Sequence, residues 1–142
     1  MPDIMQKITI NADKGKVYKA LSSVDGLSGW WTRTTSGKSS PGETLEFRFN
    51  QHAIHMRVKD LQADKSVAWD VAEQEGEWAG TRLTFDLSEE KGRTTLIFGH
   101  RAWQEASPHF AHCSMKWATF LLSLRDYAET GKGRPFPDDV QI

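Results

Sequence analysis

Residues Ile4 to Ile10 alternate, with Ile4, Gln6, Ile8 and Ile10 set against Met5, Lys7 and Thr9, and this period of two predicts a strand with one buried face. Asn11 and Asp13 are helix-capping types. Val17, Tyr18 and Leu21 then recur at helical spacing up to Ser22-Ser23, so a short helix follows. A second short helix spans Asp25 to Trp30, weak alone because of Gly26 and Gly29, and fixed by packing of Leu27, Trp30 and Trp31. From there to Arg101 the chain reads as strands separated by turns: Thr44 to Phe49, Ala53 to Leu61, Ser66 to Ala72, Thr81 to Leu87 and Arg93 to Arg101. Their inward sets are Leu45, Phe47, Phe49; Ile54, Met56, Val58; Val67, Trp69, Val71; Leu83, Phe85, Leu87; and Leu96, Phe98, His100. Ala63-Asp64-Lys65 and Glu89-Glu90-Lys91-Gly92 supply hairpin turns. Trp78 falls out of phase with Leu83 and Phe85, which predicts a bulge at Gly80.

Ser107-Pro108 starts the strongest helix, and Gly131 with Gly133-Arg134-Pro135 closes it. At 100° per residue, Phe110, Cys113, Ser114, Trp117, Leu121, Leu124 and Ala128 share one face, opposite His112, Lys116, Thr119, Ser123 and Asp126. Ala111, Met115, Ala118 and Leu122 widen the apolar arc on one flank. Burying each large apolar side chain is worth roughly 1.5 to 3 kcal/mol, so the helix is expected against the sheet. Gly131 to Ile142 reads as a tail.

This order predicts an α+β helix-grip fold: a curved antiparallel sheet of six to seven strands around a long C-terminal helix, with two short helices after the first strand. Residues 1–142 read as a single domain. A straight helix does not fill a curved concavity, so the groove between them is the expected binding site.

Composition sharpens the picture. Six tryptophans and seven phenylalanines offer rings that can line a cavity. The net charge of -1 gives no pull toward nucleic acid or anionic lipid. No apolar run approaches the roughly 20 residues of a membrane span, and Met1 to Gln6 lacks the blocks of a signal peptide, so a cytoplasmic location is expected. Cys113 stands alone, which excludes an internal disulfide and a multi-cysteine zinc cage. His109, His112 and Cys113 are close in sequence, but His112 points to the polar side and Cys113 inward, so no metal is expected. No cofactor is expected either: there is no Gly-rich phosphate loop, Ser-His-Asp order or close carboxylate pair. Arg48, Arg57, Arg82 and Arg101 fall on outward phases.

Several short motifs, in their order and spacing, carry a family likeness: Val17-Tyr18-Lys19-Ala20-Leu21, Trp30-Trp31-Thr32, Pro41-Gly42-Glu43 and Val67-Ala68-Trp69. Thr95 to His100, His112 to Trp117 and Leu124 to Pro135 continue it. From Ile8 to Pro137 the chain resembles the START-like (SRPBCC) helix-grip superfamily, in the branch related to the C-terminal domain of the activator of heat-shock protein 90 ATPase. The resemblance implies the fold and binding of a bulky apolar small molecule. The chaperone activator also has a separate N-terminal domain, without which co-chaperone activity is in doubt. Lys116-Trp117 stands where much of the family has glycine before the tryptophan, which implies a larger or shifted pocket.

The expected ligand walls are Trp30, Phe47, Phe49, Met56, Trp69, Phe85, Phe98, Trp103, Phe110, Trp117 and Leu121, with His100 and Ser114 as polar anchors. The alternative is that these rings pack solid. The expected function is binding of a lipid-like or aromatic molecule as carrier or sensor. One alternative is a cofactor-free cyclase or hydrolase with His100 as proton carrier, and another is a module that docks on a chaperone. The bland alternatives are that His100 satisfies neighbouring backbone groups and that Ser114 bonds to its own helix.

Overall fold

The alternating first segment forms β1 (Ile4–Ile10), which pairs antiparallel with the last strand, β7 (Arg93–Arg101), placing Ile4 opposite His100 and Ile10 opposite Thr94. The computed structural model describes all 142 residues. Two short helices follow β1: α1 (Lys14–Ser22), capped by the Asp13 carboxylate on Lys16 N–H, and α2 (Val24–Trp30), capped by Ser23 on Gly26 N–H at 3.0 Å. The meander is β2 (Thr35–Gly37), β3 (Thr44–Phe49), β4 (His52–Gln62), β5 (Ser66–Val71), β6 (Arg82–Glu90) and β7. It makes one antiparallel sheet in the order β1-β7-β6-β5-β4-β3-β2. The long helix α3 (Pro108–Thr130) starts at the Ser107 cap and ends where Gly131 turns left-handed at φ 84. The architecture is the α+β helix-grip fold. No helix is long and apolar enough to cross a membrane.

The glycines that weaken α2 are what let it pack. A Cβ on Gly26 would lie 2.6 Å from Ala20 Cα, and one on Gly29 would lie 2.3 Å from the Tyr127 ring. α2 is therefore wedged between α1 and α3, with Trp30 donating its indole N–H to the Ala20 carbonyl at 2.9 Å. Packing outweighs propensity here. On the outer face of the sheet, Arg82 pairs with Asp70 at 2.6 Å and Arg48 with Glu46 at 3.4 Å, as their outward phases predict.

Three local expectations are corrected. β2 forms at Thr35–Gly37, where no strand was read, because it completes the edge beside β3. The bulge lies in β4 between Val58 and Asp60, not at Gly80. Gly80, at φ 78, and Trp78 belong to the turn before β6, so Trp78 has no strand phase to keep. The flank carrying Met115 and Leu122 faces solvent, at 60% and 45% exposure, while Phe120 and Ser123 on the other side are buried.

The reason for that last reversal is the segment read as a tail. It returns along α3: Phe136 N–H donates to the Trp31 carbonyl at 2.8 Å, and Arg33 N–H to the Phe136 carbonyl at 3.2 Å. Pro135 is buried. Ser123 donates to the Trp30 carbonyl at 2.8 Å and accepts from Arg134 N–H at 2.7 Å, so it clasps α2, α3 and the returning strand of chain together. Lys116 lies 5.2 Å over the Phe120 ring and pairs with the Asp139 carboxylate.

Candidate functional site

His100 occupies the inward face of β7 with no exposed surface. The Trp117 indole N–H, on α3, donates to His100 Nδ1 at 3.1 Å, so Nδ1 is an acceptor and the ring proton resides on Nε2. Nε2–H donates to Thr81 Oγ1 at 2.9 Å, and the Thr81 hydroxyl donates to the Trp78 carbonyl at 2.6 Å. Every donor in this relay meets an acceptor. Burial, reinforced by the His109 charge, pushes His100 down to about 3 and keeps the ring neutral.

Around the relay the rings close on one another. Trp31 stacks parallel to Trp69 at 6.2 Å and tilts onto Phe47 at 4.2 Å, while Trp69 meets Phe85 edge-on at 5.1 Å. Phe85, Phe98 and Trp117 continue the chain at 5.2 and 4.7 Å, joining the sheet to α3. The middle of the grip is thus occupied by aromatic packing.

Space opens at one end of that packing instead. A cleft of about 550 Å³ lies between the first half of α3, the start of β4, the turn from Glu73 to Trp78 and the returning C-terminal segment. Its floor is Trp31, Phe49, Trp78, Trp117, Phe120 and Phe136. Trp78 and Trp117 lie nearly parallel with centroids 6.2 Å apart, and Phe49 meets Phe136 edge-on at 5.2 Å. The six rings come from five parts of the chain, Trp117 and Phe120 both from α3, so the floor has a defined shape.

The rim is polar. Glu73 accepts from the His55 backbone N–H at 2.8 Å and lies 3.1 Å from its ring, and these hydrogen bonds hold its carboxyl below the usual range. Cys113 faces the cleft with its sulfur 3.5 Å from His109 Nε2. Burial pushes that thiol up, an effect that the Trp78 indole opposes in part and the Glu77 charge adds to, so the sulfur stays protonated. His112, beside His109, is exposed on the rim. The arrangement suits holding an apolar body with a polar end at the rim.

Of the residues expected to form ligand walls, Phe49 and Trp117 line this cleft. Trp30, Phe47, Met56, Trp69, Phe85, Phe98 and His100 have no exposed surface, and Trp103 and Leu121 have 1% and 2%. Phe110 is partly exposed and meets Trp103 edge-on at 5.2 Å. The Ser114 carbonyl accepts from the Gln6 side chain at 2.6 Å, tying α3 to β1. Sequence reasoning missed Trp31, Ile54, Trp78, Phe120 and Phe136. One signal was available: a tryptophan ending the hydrophilic run Glu73-Gln74-Glu75-Gly76-Glu77.

Comparison with known proteins agrees with the fold. The family model for activator of Hsp90 ATPase homolog 1-like proteins matches residues 11–129. The chain belongs to this family. The Aha1 dimer of Colwellia psychrerythraea is 41% identical, with TM-score 0.87 over 94% of this chain and 100% of that one. A Bacillus halodurans protein is 21% identical, with TM-score 0.75, 91% of this chain and 98% of its own covered. CalU16 from Micromonospora echinospora is 15% identical, with TM-score 0.73 over 88% of this chain and 73% of that one. At these lower identities the likeness is one of fold. No curated protein matches the sequence. The family match ends before Phe136 and Asp139, so the cleft wall built by the C-terminal segment lies outside it.

Proposed function

We infer that this family member binds an apolar small molecule, lipid-like or aromatic, in the end cleft, and acts as a cytoplasmic carrier or sensor. The observation that carries the reading is an open, ring-floored cleft of about 550 Å³ beside a core whose own rings are closed. That volume falls within the range of small-molecule sites, about 300 to 1,000 Å³. His100 is assigned a structural role, because both its nitrogens are used and it has no exposed surface. Native mass spectrometry of gently purified protein tests the reading. A retained small molecule, lost in Phe49→Ala/Phe120→Ala protein, supports it; a bare mass in every preparation, with no thermal shift from added alkyl or aromatic compounds, overturns it.

A second reading, a protein-docking module, draws on the exposed stripe of Ala111, Met115 and Leu122 along α3. The Colwellia relative is described as a dimer, and the family description names an Hsp90 ATPase activator. Sedimentation of the protein beside Met115→Glu/Leu122→Glu decides whether that stripe pairs two copies. A change from dimer to monomer supports it, and an unchanged monomer contradicts it.

A further inference from the structure

The charge on the cleft is out of proportion to the charge on the chain. Its lining carries four carboxylates, Glu73, Glu75, Glu77 and Asp139, against one ammonium, Lys116, whereas the whole protein has a formal charge of only -1. His52, His109, His112 and the protonated Cys113 thiol complete the charged or titratable side chains there. Lys116 is not free to face a ligand, since Asp139, whose side chain is 2% exposed, and the Val140 carbonyl hold its ammonium. Glu73 is engaged by His55, and Glu77 accepts from the Ser107 hydroxyl. Glu75 has no hydrogen-bond or ion-pair partner and is exposed at the mouth. Once the Lys116–Asp139 pair is set aside, three glutamates remain on one short turn, lining the same cleft as Trp78 and Trp117.

Carboxylates set around aromatic faces favour one kind of ligand head. A cation gains from the ring quadrupole, and a quaternary or alkylated ammonium gains most because it is weakly hydrated and needs no hydrogen-bond acceptor. The excess negative charge at a low-dielectric wall strengthens the same preference and repels an anionic head. The apolar floor then takes the body of the molecule.

We propose that the cleft selects cationic amphiphiles: molecules with an alkyl or aromatic body on the Trp78, Trp117, Phe120 and Phe136 floor and an ammonium head under Glu75 and Glu77. This rests on the reading of the cleft as a ligand site, and narrows the class of ligand it takes. Fatty acids and other anionic lipids are excluded as preferred ligands.

The test uses the full chain and three probes with one tail, decyltrimethylammonium, decanol and decyl sulfate, each titrated well below its micelle concentration and followed by tryptophan fluorescence and calorimetry. The cation is expected to bind about tenfold more tightly than the alcohol, and the anion most weakly. In Glu75→Gln/Glu77→Gln protein, checked for unchanged thermal unfolding, the cation is expected to lose about that factor while the alcohol keeps its affinity. Equal binding of all three probes, or tighter binding of the sulfate, overturns the charge selectivity and leaves the apolar site standing. Binding of none overturns the ligand site itself.

Discussion

Trp117 and His100 are joined by a single hydrogen bond, indole N–H to Nδ1 at 3.1 Å, and that contact fixes the histidine's tautomer, its charge and the docking of α3 on β7. It also closes the relay through Thr81 to the Trp78 carbonyl, the residue that floors the cleft. The position of the open end therefore depends on a buried, neutral histidine.

Replacing that ring should be costly. His100→Phe keeps bulk and apolarity but leaves the Trp117 N–H without an acceptor and Thr81 Oγ1 without a donor. Each orphaned buried group costs about 1 to 3 kcal/mol, so a loss of about 2 to 5 kcal/mol is expected in urea unfolding. Loss below about 0.5 kcal/mol would show that the relay does not hold the structure.

The same ring makes stability pH-dependent. Its folded value of about 3 lies below the ordinary 6.5, so the unfolded chain binds a proton that the folded one refuses. Stability from this group is fully present above the unfolded value and declines as pH falls from 6.5 toward 3. Across that window the slope approaches about 1.4 kcal/mol per pH unit. Ring nitrogen NMR at about pH 5 should show His100 neutral with its proton on Nε2. An imidazolium spectrum there contradicts the assignment.

Ser123→Ala removes the hydroxyl shared by the Trp30 carbonyl and Arg134 N–H. One buried and one part-buried backbone group lose their partner, and a loss of about 1 to 3 kcal/mol is expected by chemical denaturation. Faster hydrogen exchange should appear at Arg134 and in the segment that follows. Unchanged exchange would mean that the returning segment is held without this clasp.

Lys116→Met tests the other fastening of that segment. It strands a carboxylate, Asp139, whose side chain is only 2% exposed. Removing one partner of a fully buried pair costs about 3 to 5 kcal/mol, and because the Lys116 side chain is 22% exposed a smaller loss of about 1 to 3 kcal/mol is expected. Lys116→Met/Asp139→Asn should recover much of it. Additive losses in the double variant would contradict the pairing.

The sequence made the regular parts of the fold readable because each was written in one local period. Ile4 to Ile10 alternates, and Ser107-Pro108 and Gly131 frame α3 with the residues helix ends require. Six of the seven strands and all three helices follow from such signals. The site was less readable because it is made where periods stop. Trp78 belongs to a turn, Phe136 to a segment with no repeat, and Ser123, on the side read as polar, is bonded both by that returning segment and to the Trp30 carbonyl. A helical wheel cannot know which flank a distant stretch of chain will cover. Nor does an inward ring such as Trp69 announce whether its neighbours leave space or fill it.

The most direct test of the account is to ask which rings a bound molecule touches. Adding decyltrimethylammonium to labelled protein, with amide and indole N–H resonances assigned, should shift Trp78 and Trp117 together with the backbone of Phe49, Phe120 and Phe136. Trp30 and Trp69 should stay in place. Shifts centred on Trp69, Phe85 and Met56, with the cleft residues unmoved, would mean that the aromatic core opens to the ligand and that the end cleft is not the site.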